Sequence, residues 1–542
     1  MAIANFKAFR FLVIDDFANM RTMMKSMLQS LGAEHIDQAG NGRDAIDRIL
    51  HTSYDVILCD YNLGDSQNGQ QLLEEAKHRK LLRHTTVFVM ITAENTQEMV
   101  MGAMEYRPDD YLTKPFNKDL LGHRVKRLIM RKMSLSRIDE AVERGEYTQA
   151  IAICDELIAA RPRNLNELRA IKVDLCINFG NYDEARQVAE AVLAERNLPW
   201  AMVAVGRINY LQQNYDAAYR QFAATVEQHP TFTEAYDWLA RTLDKLDRTH
   251  EAQQVLEQAV ELSPNAILRQ ERLAELARRN DDLTTAERSY RKAVSLGRHS
   301  VYRKPEHYTG LAKTQAERGS VRDAMKTLKS LRQGYGGDPQ AKFEGALAEG
   351  SILTSMGRAE SAQKAFKVAD ELYNRVAEHL APQTAMAFAA SCLQRGDTER
   401  GKQLLQEVVR NYHEEPAILS AAQQAFADAG MADEGSQLIA TARGEVLKLN
   451  NQGVLLAKKG QLDAALKLFE KAAARMSRNV VVNLNAAQVM LVFMQKRGVD
   501  EHYRFQVRQY LQRVGSADPN NITYQKLLSI YEKMFARRGR NP

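Results

Sequence analysis

The chain has 542 residues, 45% apolar and 26% charged, a composition that excludes a disordered or low-complexity protein. Its formal net charge of +6 is small for that length and excludes a chain-wide nucleic-acid signature. Four cysteines (Cys59, Cys154, Cys176, Cys392) with no CxxC spacing indicate neither a disulfide framework nor a zinc site, and read as core thiols in a reducing compartment.

From the N terminus, the apolar patch at 9–14 is too short for a membrane span and runs into Asp15-Asp16 without a small-residue cleavage pattern, so a cytoplasmic protein is expected. Apolar runs at 11–14, 56–58 and 87–91 alternate with amphipathic stretches such as 21–31 and 45–50, and a shorter strand candidate lies at 35–39. Strands alternating with helices predict a parallel sheet covered on both faces. Asp15 and Asp16 follow the first strand, Asp60 the third, Thr92 the fourth, and Lys114-Pro115 the fifth, at 110–113. All would lie on one edge of the sheet, where open α/β folds carry their chemistry. Three crowded carboxylates repel one another and call for a cation; oxygen-rich clusters suit Mg²⁺, while Lys114 and Thr92 supply donors for an anion. That set suits attack of an Asp60 carboxylate on a phosphoryl group. Any one of these residues alone reads as a solvated loop charge.

The order and spacing are specific: an acidic pair at 15 and 16 after strand one, then Asp60, then Thr92, then Lys114-Pro115, each at the end of a strand. In these motifs residues 1–122 resemble the CheY-like receiver domains of bacterial two-component response regulators. The resemblance implies a doubly wound, five-stranded parallel sheet of flavodoxin-like type. It implies Mg²⁺ held by Asp15, Asp16, Asp60 and the backbone carbonyl of Asn62, phosphorylation of Asp60, and phosphoryl contacts from Thr92 and Lys114. A switch role for Tyr111, a cis Lys114-Pro115 bond, and an influence of Asn62 and Glu94 on phosphoryl lifetime follow from the same source.

Residues 1–116 hold 12 basic against 16 acidic residues, whereas residues 118–133 hold 6 against 1. No proline, and no glycine beyond Gly122, interrupts residues 118–144, and Val125, Leu128, Ile129, Leu135, Ile138 and Val142 keep a helical period. The last receiver helix is therefore predicted to run through a helical join at 123–133 into the next domain. Its basic cluster, Arg124, Lys126, Arg127, Arg131 and Lys132, reads as a solvated face or as a partner for the acidic receiver body, with nucleic acid or an anionic membrane surface as the alternative.

From residue 134 internal repetition dominates. Gly145-Glu-Tyr-Thr-Gln-Ala150, Gly180-Asn-Tyr-Asp-Glu-Ala185, Gln213-Asn-Tyr-Asp-Ala-Ala218 and Gly460-Gln-Leu-Asp-Ala-Ala465 are variants of one turn, and weaker copies start at Asp247, Asp281, Gly319, Gly357, Gly396 and Gly430. The intervals between these starts cluster near 34, with the three from Asp281 to Gly396 longer and the one from Gly430 to Gly460 shorter. The residue five after each start is small in every copy, the residue seven before is small in seven of ten, and the residue nine after is large in Phe222, Leu256, Tyr290, Leu328, Phe366, Leu405 and Phe469. A period near 34 with this phase is similar to a tetratricopeptide repeat array. It predicts an all-α superhelical solenoid of about ten to eleven repeats over 134–516, closed by a capping helix and tail at 517–542.

The repeat resemblance implies a concave groove for a protein partner. Arg207, Trp238 and Arg241, in adjacent repeats, are the candidate contact patch, with packing between repeats as the competing reading. No Ser/His/Asp, HExxH or P-loop pattern occurs, so no enzyme is expected beyond the receiver's own phosphorylation and dephosphorylation. The sequence thus predicts a phosphorylation-controlled response regulator whose output is protein–protein interaction, the alternative being a DNA- or RNA-associated regulator that uses the basic last receiver helix. A histidine kinase or small phosphodonor is implied upstream. No nucleic acid and no membrane span are expected, and a homodimer through the receiver stays open.

Overall fold

Five strands, β1 (Arg10–Ile14), β2 (His35–Ala39), β3 (Val56–Asp60), β4 (Val87–Thr92) and β5 (Asp110–Thr113), pair in parallel in the order β2-β1-β3-β4-β5. This is the doubly wound flavodoxin-like order, whose switch point lies between β1 and β3. The computed structural model describes residues 6–64, 67–83, 85–93, 108–162, 164–518 and 521–536, and Glu94 lies outside them. The central strands β1, β3 and β4 are apolar on both faces because helices cover both. Phe11, Val13, Val56 and Leu58 face a core shared with α1 (Ala18–Ser30) and α4 (Lys118–Glu143). Leu12, Ile14, Ile57 and Cys59 face the opposite core with α2 (Gly42–His51) and α3 (Gly69–His78). The side chains of Asn41, Asn68 and Asn117 cap α2, α3 and α4 by accepting from backbone N–H groups in the first turn.

Two compact units make up the chain, Met1–Ile177 with Asn181–Leu331, and Arg332–Pro542 with Asn178–Gly180. In the first unit α4 is one unbroken helix of 26 residues. Its first half buries Leu121, Val125, Leu128 and Ile129 in the core of the sheet, and its second half starts the next core with Leu135, Ile138 and Ala141 against Ile151, Cys154 and Leu168. Four of the five residues of its basic cluster are engaged. Arg124 and Arg127 pair with Asp110, Lys132 with Asp109, and Arg131 with Glu167 of the first helical hairpin.

After α4 the chain is a succession of antiparallel helix pairs. All ten turn starts found in the sequence adopt left-handed backbone, seven of them glycines with φ between 68° and 84°, and Gln213, Asp247 and Asp281 at 62°, 60° and 59°. Each closes the preceding helix in the same way: the N–H of Asn214 bonds the carbonyl of Asn209, and that of Arg248 the carbonyl of Leu243, both at 2.9 Å. The phase relation has a direct cause. A Cβ on Gly206 would stand 2.4 Å from the Phe222 ring, one on Gly350 2.6 Å from Phe366, and one on Gly453 2.5 Å from Phe469, so at these turns the small residue before makes room for the large one after.

Departures from the period have structural counterparts. The long interval from Asp281 to Gly319 contains a 3₁₀ turn, Gly297–His299, and a loop leading to Pro305. The short interval from Gly430 to Gly460 holds a single helix, Ala432–Lys458, where other repeats have two helices and a connection; its stretch has glycines but no proline to break it. In the second unit Val480–Arg497, Glu501–Ala517 and Ile522–Ala536 share one apolar core with Phe469.

Candidate functional site

The C-terminal edge of the sheet gathers the predicted residues. Asp15 follows β1, Asp60 ends β3 and Thr92 ends β4, and all three are buried, while Asp16 lies further out. One carboxylate oxygen each from Asp15, Asp16 and Asp60 fall within 4.8 Å of one another. Lys114 crosses from the end of β5 and places its Nζ 3.0 Å from both Asp15 Oδ2 and Asp60 Oδ1. The Lys114 N–H donates to the Thr92 carbonyl at 2.8 Å, which ties the lysine to the threonine-bearing strand end. The Lys114-Pro115 bond is cis.

The electrostatics follow from burial and crowding. Burial pushes Asp60 up to about 6, Asp15 and Asp16 add to the rise, and Lys114 opposes it. Burial alone would lower Lys114, but its hydrogen bonds to Asp15 and Asp60 outweigh that and leave it above its ordinary value. One lysine thus balances only part of the charge of three acids. Asp16 Oδ1 is buried with no hydrogen-bond partner among the described residues, an oxygen suited to a hard cation. The loop beyond Asp60 lies over this spot: Asn62 is exposed on it, and a Cβ on Gly64, which has φ of 77°, would be 3.7 Å from Asp16 Oδ2.

Arg21 is a residue the motif reading missed. From α1 its Nη1 donates to the backbone carbonyls of Asp15, at 2.6 Å, and Asp16, at 3.1 Å, which fixes the acidic turn while the Phe17 N–H donates to Asp15 Oδ1. Its place in the first turn of the helix after β1 marks only a polar position in the sequence. Tyr111, on β5, packs its ring against the α2/α3 core; its hydroxyl is buried without a partner among the described residues, and burial raises its pKa.

The repeat patch is also brought together. The Arg207 and Arg241 guanidiniums lie 5.7 and 4.9 Å from the centroid of the Trp238 ring, which in turn meets Tyr210 edge-on and stacks on Phe222. Arg207 also donates to Asp174 of the preceding repeat at 2.6 Å. Packing between repeats therefore occupies Arg207 and most of Trp238, and Arg241 is the exposed member.

A five-stranded sheet in this order, with an acidic cluster and a lysine on its C-terminal edge, defines a receiver-type domain. The response regulator receiver domain model matches residues 11–126, and a tetratricopeptide repeat model matches residues 233–266. The chain belongs, by its N-terminal domain, to the response regulator receiver family. It is 31% identical over 130 residues to chemotaxis protein CheY-3 of Vibrio cholerae serotype O1, a match spanning 24% of this chain and 98% of that protein. With chemotaxis protein CheY of Pseudomonas aeruginosa it shares 27% identity over 122 residues, 22% of this chain and 97% of the relative. Among solved structures, a two-component response regulator from Clostridium difficile is 30% identical, covering 23% of this chain and 97% of that one, with a TM-score of 0.21 over the long chain.

Proposed function

We propose that this is a response regulator in which Asp60 accepts a phosphoryl group and the repeat array engages a protein partner according to that state. One observation carries the reading: among the described residues a single lysine, Lys114, stands 3.0 Å from both Asp15 and Asp60 while Asp16 keeps a buried oxygen without a partner. In the proposed reaction an Asp60 oxygen attacks phosphorus, and the bond from phosphorus to the donor, a histidine nitrogen or an acyl oxygen, breaks with its electron pair. The imidazole then takes up a proton. Lys114 and Thr92 hold the oxygens of the transferred group, and Arg21 keeps the acidic turn in place. Mg²⁺, bound by Asp15, Asp16, Asp60 and the Asn62 carbonyl, would supply charge neutralisation. Tyr111 is assigned the switch position.

The domain division we propose is 1–122, 123–133, 134–516 and 517–542. A histidine kinase or small phosphodonor is the proposed source of phosphate, with Arg241 and Trp238 in the groove as the partner contact. The ion pairs that engage Arg124, Arg127, Arg131 and Lys132 speak against a nucleic-acid role for that helix. No helix among the described residues is long and apolar enough to cross a membrane, and the four cysteines are buried free thiols, in keeping with a cytoplasmic setting. The test is incubation with Mg²⁺ and acetyl phosphate, followed by mapping of an acid-stable, hydroxylamine-labile adduct. Adduct on wild type and none on Asp60→Ala is expected; equal labelling of both would rule the assignment out.

A further inference from the structure

One side of α3 carries Gln71, Glu74 and His78, the i, i+3, i+7 spacing of a single helical face. Such a polar row ordinarily faces water, yet Glu74 is 3% exposed. What covers it is the loop at 297–304, which belongs to the same compact unit. Gln71 Nε2 donates to the Leu296 carbonyl at 3.0 Å, and the Ser300 hydroxyl donates to the Glu74 carboxylate. The Tyr302 N–H reaches Ser300 Oγ at 3.0 Å and also serves Glu74. The Tyr302 ring meets His78 edge-on, with centroids 5.8 Å apart. This loop is the insertion that makes the interval from Asp281 to Gly319 longer than the two before it, Gln213 to Asp247 and Asp247 to Asp281.

The other end of α3 rests on Asp60. A Cβ on Gly69 would stand 2.3 Å from the backbone carbonyl of Asp60, and the Gly69 N–H donates to the Tyr61 carbonyl at 2.8 Å. Asn68 and Gln71 close a reciprocal cap, so the side chain that reaches Leu296 also fixes the origin of the helix. The Asp60 backbone thus touches the origin of a helix whose outer face is held by the repeat loop.

We infer that α3 and the loop at 297–304 form an intramolecular latch, closed while Asp60 is unmodified and released when Asp60 carries a phosphoryl group. This rests on the reading of Asp60 as phosphoacceptor. A phosphoryl group can bias the latch only through contacts that differ between the two states, and the Gly69–Asp60 contact is where that difference enters. Burial also pushes Glu74 up to about 7, so its ionised form is held at a cost that opening relieves.

Amide hydrogen exchange on the full chain with Mg²⁺, with and without beryllofluoride, tests the latch, with fluorine NMR following occupancy of the site independently. Beryllofluoride is expected to speed exchange at 296–304 at least tenfold. Ser300→Asp, which sets a second carboxylate against Glu74, should do so without it, and Ser300→Thr should not. Unchanged exchange in Thr233–Lys245 certifies that the variants are folded. Bound fluoride with an unchanged loop would overturn the latch and leave the site reading intact, as would a protected loop in Ser300→Asp. No bound fluoride would overturn the phosphoacceptor reading and the release step with it.

Discussion

Glu74→Gln isolates the energetics of the buried carboxyl. Its pKa is raised from 4.5 to about 7, chiefly by burial, with the hydrogen bonds from Ser300 and Tyr302 opposing. Below pH 4.5 the carboxyl is protonated whether the contact is closed or open and costs nothing. Between 4.5 and about 7 the closed state holds the proton that the open state has lost, so closure weakens as pH rises, and above that window the penalty is constant. The shift corresponds to an upper limit of about 3 kcal/mol, discounted to about 2 because water reaches the rim of the loop. Protection factors for the amides at 296–304, corrected for intrinsic exchange, should therefore fall roughly thirtyfold in the wild type between about pH 4 and 8, at about 1.4 kcal/mol per tenfold, and stay level in Glu74→Gln. His78, which meets Tyr302 edge-on, is a second titratable group at the contact, so His78→Asn is measured alongside and should keep the wild-type slope. Parallel profiles for wild type and Glu74→Gln would show that Glu74 is not the group responsible and would refute the argument.

Mg²⁺ should raise the melting temperature of the receiver by relieving repulsion among Asp15, Asp16 and Asp60, and Asp16→Asn should abolish most of that rise in a calorimetric titration. Gly206→Ala forces a Cβ to 2.4 Å from the Phe222 ring and should cost about 1–3 kcal/mol in chemical denaturation, more than the same change at exposed Gly444, which has open space. Gln213→Gly removes a side chain from a left-handed turn at φ 62° and should stabilise the unit by about 0.5–1 kcal/mol; a loss of stability would mean that the Gln213 side chain contributes more than its backbone costs.

The receiver and its acidic edge were legible because both are local and periodic. Apolar runs at 11–14, 56–58 and 87–91 became β1, β3 and β4 with ends moved by one or two residues, and Asp15, Asp16, Asp60, Thr92 and Lys114 came together where the strand ends placed them. The repeat phase was legible for a steric reason, since the glycine before a turn and the aromatic after it touch. The contact at Glu74 was not legible, because its partner Ser300 lies 226 residues away and nothing in the order Gln71, Glu74, His78 tells a covered face from a wet one. Only the long interval between Asp281 and Gly319 left a trace, and an interval says that something is inserted, not what it touches. The continuous helix Ala432–Lys458 is a similar case: the short interval from Gly430 to Gly460 was visible, but whether Gly444 breaks a helix depends on packing that lies outside the segment.

Both halves of the contact between α3 and the loop at 297–304 belong to one polypeptide. Their meeting is a first-order event, governed by the tether and not by how many molecules a cell contains. Switches made by pairing two receivers answer only above a dissociation constant, and their set point drifts with expression level. Here an outside protein competing for either surface faces an occupant already present at an effective concentration on the order of millimolar. Its apparent dissociation constant is therefore divided by the fraction of molecules that are open, and that fraction is the same in a cell with few copies as in one with many.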